Sequence, residues 1–237
     1  MTLSSVSETK AVEGVLHAMS ITSADIQYDF ENSISKNNHN GLPQAVWGRR
    51  CDDLIKQFAK FADIEVLHIQ RTKLWQIDPV FDRSTGILYL LFSDINLKNI
   101  RNKYIKKGTS THYSVSFLLK NEGFFPKSSE EIELIPLSQE ELENEEQRKQ
   151  RDIEKMLGDN AELVREVVMI SVSYSEGQAV SATQLLYTTK FELVEEKDIS
   201  DMLVTSFPGD SDLDDSAQDV TETEQQLVTL KTQVKEK

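Results

Sequence analysis

The sequence predicts an α+β fold: N-terminal helices, a mostly antiparallel sheet with helices on one face, and a disordered or weakly helical acidic C-terminal tail. Three observations carry that reading. Apolar residues recur at helical spacing through residues 1–62. Between residues 63 and 205, alternating or wholly apolar runs bounded by turn residues read as strands. From Ser206 the chain becomes acidic and poor in aromatic residues. Residues 1–205 are therefore expected to form one domain, with a helical part over 1–62 and a sheet-containing part over 63–205. Residues 206–237 form the tail.

The first helix is expected from about Ser7, with Val12, Val15, Leu16 and Met19 on one stripe. A second runs through Ser20–Ser35, capped by Thr22 or Ser23, with Ile26, Phe30 and Ile34 recurring at helical spacing. Lys36–Gly41 is a polar loop that leaves His39 exposed. A third helix follows Pro43, which suits a first-turn position. Its seam is Val46, Trp47, Arg50, Leu54, Phe58 and Phe61, and Cys51 within it reads as a small buried hydrophobe.

Ile64–Gly108 is the most legible stretch. A strand is expected over Leu74–Phe81, with Trp75, Ile77 and Phe81 buried by strict alternation. Pro79 lacks an N–H, so this strand belongs at an edge or bulges there. Asp82–Gly86 supplies a turn. Ile87–Phe92 is nearly all apolar, which fits a strand buried on both faces. An amphipathic helix follows. Ser93 or Asp94 caps it, Leu97, Ile100 and Tyr104 face inward, and Gly108 ends it. Its outer face carries Lys98, Lys103, Lys106 and Lys107, with Arg101 at the flank, and Arg71 and Lys73 lie on the preceding hairpin.

Thr109–Leu119 reads slightly better as helix than strand. Glu131–Leu137 is a short alternating strand. Ser138–Glu141 is a capping box opening a very polar helix to Leu157, with its middle in solvent. A short helical link over Asp159–Glu166 leads to a strand over Val167–Tyr174. One or two further strands follow over Val180–Val194, with Tyr187, Phe191 and Leu193 inside, then a closing helix over Glu195–Leu203. In the tail, Leu213, Val220, Leu227 and Val234 recur every seventh residue, with Leu230 at a d-type position. That pattern suits a partner-binding segment or a short coiled coil.

The chain carries a net charge of −14, split unevenly: residues 1–120 hold +3 and residues 121–237 hold −17. One cysteine excludes an internal disulfide and fits a reducing, cytoplasmic setting. Apolar runs fall well short of the ~20 residues that span a bilayer, and no secretory leader is read at the N-terminus. The sequence holds no nucleophile elbow, Walker loop or dinucleotide fingerprint, so no catalytic residue, cofactor or metal is expected. His68 and His112 read as ordinary sheet or core histidines, since zinc-type spacings are missing. Asp78 and Asp82 flank a hairpin, but the next strand offers no acid or lysine for metal-dependent hydrolysis.

The run LWQIDPVFDRSTGILYLLF, with Tyr113 and Asn121 after a basic helix, resembles an uncharacterised family of unknown function from Gram-positive bacteria and their prophages, over about residues 45–200. That resemblance implies a mobile-element or phage–host setting and carries over no catalytic residue. Two functions are therefore expected. The first is a non-enzymatic intracellular interaction or regulatory protein. The second is a nucleic-acid-binding or nucleic-acid-processing protein using Arg71, Lys73, Lys98, Arg101, Lys103, Lys106 and Lys107. A protein partner, nucleic acid and a homo-oligomer are the candidate partners.

Overall fold

A computed structural model describes residues 6–72, 75–127 and 138–203. Its centre is a six-stranded sheet in the order β1-β4-β5-β6-β7-β8. The strands are β1 (Ile64–Val66), β4 (Val80–Asp82), β5 (Ile87–Ser93), β6 (Glu166–Ser175), β7 (Gln178–Tyr187) and β8 (Leu193–Asp198). β5 and β6 run parallel, and every other neighbouring pair is antiparallel. A separate hairpin pairs β2 (Ile69–Gln70) with β3 (Gln76–Ile77). The fold is thus α+β with a mainly antiparallel sheet.

β5 is buried from Ile87 to Phe92 because both sheet faces are covered. Leu88, Leu90 and Phe92 pack with Leu97, Ile100 and Tyr104 of α4 (Asp94–Lys107), with Phe117 of α5 (Tyr113–Phe117), and with Ile153 of α6 (Gln139–Leu157). Ile87, Tyr89 and Leu91 pack with Val12, Val15 and Leu16 of α1 (Val6–Met19) and with Leu54 and Phe58 of α3 (Leu42–Phe58). The expectation of helices on one face is therefore corrected. A strand apolar at every position needs an apolar partner on each side, and the N-terminal helices supply the second layer. α2 (Ser23–Ser33) packs on α3 through a smaller cluster that includes Ile26, Phe30 and Val46.

Local chemistry sets the element ends. Ser93 caps α4 by accepting from the Asn96 N–H, and Gly108 ends it at φ 70° with its N–H on the Tyr104 carbonyl. Thr22 with Asp25, and Ser138 with Glu141, form capping boxes at α2 and α6. Asn121, at the end of a short 3₁₀ turn after α5, is fully buried. Its Nδ2 donates to the Val167 and Tyr187 carbonyls, both at 2.8 Å, and its Oδ1 accepts from the Val167 N–H at 2.7 Å. One side chain thus clamps β6 and β7 to the helical layer.

Four further expectations change. The single strand over Leu74–Phe81 is two strands in different sheets. Pairing with β5 reaches only to Val80; the Pro79 carbonyl turns instead to the Leu67 N–H beside β1, and Gln76–Ile77 pair with β2. Trp75 is half-buried, while Val80, on the opposite face to Phe81, is as buried as Phe81. Glu195–Leu203 is the strand β8 and a 3₁₀ turn, Ser200–Met202, rather than a helix; pairing with β7 overrides the helical composition. His39 is half-buried and stacks on Phe30 at 6.4 Å between ring centres. The strand expected over Glu131–Leu137 and the tail with Leu213, Val220, Leu227, Leu230 and Val234 lie outside the described residues.

Candidate functional site

β4 is three residues long and β5 is seven. Beyond the Val80–Tyr89 pair, the chain before β4 turns away from β5. A cavity of about 200 Å³ lies where it turns. Leu90 and Leu91 of β5 and Pro79 form part of its wall, and Asn96, Ile100 and Lys103 of α4 form another part. The β2–β3 hairpin adds Arg71, Trp75 and Gln76, while Trp47, His112 and Tyr113 come from α3 and the start of α5.

The aromatic walls are held from behind. The buried Arg50 guanidinium lies 4.8 Å from the Trp47 ring centre, and its Nε donates to the Ile21 carbonyl at 2.9 Å. Tyr113 stacks near-parallel to Phe92 at 6.1 Å, meets Phe117 edge-on, and lies 4.4 Å from the His112 ring. His112 caps α5, its Nδ1 accepting from the Ser114 N–H at 3.3 Å. Burial pushes the Tyr113 phenol well up, with the nearby Arg71 charge opposing, so it stays a neutral hydroxyl. Arg71 stands over Tyr113 at 5.9 Å, and its Nη1 donates to the Met156 sulfur at 2.9 Å.

A sequence profile of a family of unknown function, DUF5986, matches residues 4–237. The chain belongs to the DUF5986 family. No curated protein and no solved structure matches it. The DUF5986 match spans every residue of the cleft.

The basic residues singled out from the sequence divide into groups. Arg71 and Lys103 line the cleft of this DUF5986 protein. Lys106 and Lys107 are exposed in the last turn of the same helix as Lys103. Lys98 pairs with Asp94 at 2.7 Å, and Arg101 is half-buried with its Nε on the Phe191 carbonyl at 3.1 Å. Those two face structural partners rather than the cleft. Lys73 lies outside the described residues.

Asp78 lies in the link before β4 and Asp82 ends that strand, so the two share no site. Asp82 is fully buried and accepts from Ser7 Oγ, Ser84 Oγ and the Ser84 N–H, which shapes the turn into β5. Asp78 faces the cleft, and its Oδ1 accepts from Gln76 Nε2 at 2.5 Å and lies 2.8 Å from His68 Nδ1. Cys51, expected as an inert buried hydrophobe, is only half-buried and lies 3.8 Å from the same His68 nitrogen. Burial and the Asp78 carboxylate push its thiol up to about 12.

The sequence singles out most of these side chains one at a time. It does not show that Trp47, Trp75, His112 and Tyr113 converge, because they come from three elements with no common spacing. Two cues are present in it: Pro79 breaking the run Leu74–Phe81, and both tryptophans of the chain lying within about 50 residues of the basic helix.

Proposed function

We propose that this protein binds single-stranded nucleic acid, drawing one base into the cleft between the β2–β3 hairpin, α3 and α4. The observation that carries this reading is the pairing of Trp47, Trp75 and Tyr113 with Arg71 and Lys103 around one cavity. Aromatic rings receive a base face in a sequence-tolerant way, and cationic side chains track the backbone phosphates. Lys106 and Lys107 continue the positive charge along α4 away from the cavity. A cavity of about 200 Å³ admits a single planar ring system rather than a duplex. Asn96, Gln76 and Asp78 on its walls offer both donors and acceptors to a base edge.

Anisotropy of a labelled oligonucleotide at low salt tests this with the full chain. Saturable binding, weakened by salt and by Lys103→Glu with Lys106→Glu and Lys107→Glu, is the expected result. Failure of the full chain to bind single strands at low salt overturns it.

A second reading is a non-enzymatic cytoplasmic interaction protein acting in a prophage or phage–host setting. The charge split of +3 against −17 supports it, with the acidic segment 206–237 as the partner-binding element. Deleting that segment would then abolish capture of a protein partner while leaving oligonucleotide binding intact. No described helix is long and apolar enough to cross a membrane.

A further inference from the structure

We infer that Cys51, His68 and Asp78 form a zinc-type metal site at the edge of the cleft. Their ligand atoms, Cys51 Sγ, His68 Nδ1 and a carboxylate oxygen of Asp78, all lie within 4.8 Å of one another. They are the one group of three or more such residues this close among the described residues. The three come from separate elements: Cys51 from α3, His68 from the link between β1 and β2, and Asp78 from the link between β3 and β4. A backbone bond from the Leu67 N–H to the Pro79 carbonyl, 2.9 Å, ties the two links together. His68 and Asp78 are therefore held side by side before any ion arrives.

The distances suit a tetrahedral ion. Bond lengths of about 2.3 Å to sulfur and 2.0 Å to nitrogen place those two atoms roughly 3.5 Å apart around zinc. The structure has them at 3.8 Å. His68 Nδ1 and Asp78 Oδ1, at 2.8 Å, are hydrogen-bonded and need to part by about half an ångström to admit the ion. Gln76 Nε2, on Asp78 Oδ1, is placed to orient the carboxylate from the outer shell. A thiolate, an imidazole and a carboxylate select zinc and similar borderline ions over magnesium or calcium, which take oxygen ligands.

The proton balance is simple. Cys51 loses its thiol proton as the metal–sulfur bond forms, and one proton is released per ion. His68 binds through Nδ1 as the neutral Nε2–H tautomer. No oxidation state changes. Three protein ligands leave a fourth position for water, as in open zinc sites. Asp78 also lines the cleft, so the ion stands where cleft contents reach it. Motif reading could not find the site, because the ligands are 17 and 10 residues apart on three elements.

The test is cobalt(II) titration of the full chain after chelator treatment, with no nucleic acid present, so that its result is independent of the nucleic-acid reading. One equivalent is expected to produce a thiolate-to-cobalt charge-transfer band that zinc then displaces. Cys51→Ser abolishes the band, and His68→Ala weakens binding at least about 100-fold. Gln76→Leu weakens it about tenfold. His112→Ala, at the cleft but outside the triad, leaves it unchanged. Circular dichroism checks that each variant is folded, and the exposed His68 carries the test should Cys51→Ser misfold. A missing charge-transfer band, cobalt binding without one, a band that survives Cys51→Ser, or an affinity that His68→Ala leaves unchanged overturns the inference.

Discussion

The Arg71 guanidinium carbon lies 5.9 Å from the centre of the Tyr113 ring, while Arg71 Nη1 donates to the sulfur of Met156. One side chain therefore joins the β2–β3 hairpin to the helical layer and brings positive charge to an aromatic wall. Arg71→Ala is expected to weaken oligonucleotide binding at least tenfold and to lower the thermal midpoint slightly. Arg71→Lys keeps the charge but loses the planar stack, so it should recover only part of the affinity. Anisotropy and thermal unfolding measure the two effects separately.

Trp75 is half-buried and packs on the core from the rim of the cleft. Base–aromatic stacking contributes about 1–3 kcal/mol per base, so Trp75→Ala should reduce affinity roughly 5- to 150-fold. The circular dichroism spectrum should remain that of the parent.

Salt dependence separates the lysines of α4. For single strands, the slope of log K against log salt becomes shallower by about 0.7 for every phosphate that the protein no longer neutralises. Lys106→Glu with Lys107→Glu should reduce that slope measurably. Lys98 is paired with Asp94, so Lys98→Glu should leave it nearly unchanged. Equal effects from both changes would mean that the whole helix acts as a diffuse charge and that the cleft has no special part.

Asn121→Ala tests the clamp between β6, β7 and the helices. It strands the Val167 N–H and the carbonyls of Val167 and Tyr187 in a buried position. Each stranded buried group costs about 1–3 kcal/mol, so a loss of about 3 kcal/mol or more is expected in denaturant unfolding.

Glu166 gives a pH prediction. Burial, then the nearby charges of Glu8 and Glu195, raise its carboxyl above the ordinary value, and its Oε1 is buried without a hydrogen-bond partner. The folded state therefore holds this proton more tightly than the unfolded state does. Stability from this group is present below the ordinary carboxylate value and is lost as pH rises through the raised folded value. Glu166→Gln should raise the thermal midpoint at pH 7.5, and the gain should shrink toward pH 4.

Much of the fold was legible because local chemistry and periodicity agreed. Ser93 and Gly108 bound α4 where capping rules put them, and the apolar run Ile87–Phe92 is the buried strand. Where tertiary pairing decided, the sequence was a poorer guide. Glu195–Asp198 carries helix-forming residues, yet it joins β7 because the sheet had an open edge. The two-sided cover was implicit in β5 itself, since no single helical layer can bury both faces of one strand. The cleft depends on where β4 leaves β5 and on which rings then meet, and neither shows in spacing. Cys51, His68 and Asp78 are the clearest instance: each is unremarkable in its own segment, and only the fold brings them together.

Both tryptophans of the chain, Trp47 and Trp75, line the cleft, so intrinsic tryptophan emission reports its occupancy without a label. Titrating the full chain with a short single-stranded oligonucleotide at low salt is the most direct measurement. Saturable quenching is expected, with the midpoint moving to higher concentration as salt rises and the amplitude falling in Trp75→Ala. Emission that stays constant while the oligonucleotide binds, or an oligonucleotide that does not bind, contradicts the assignment of this cleft.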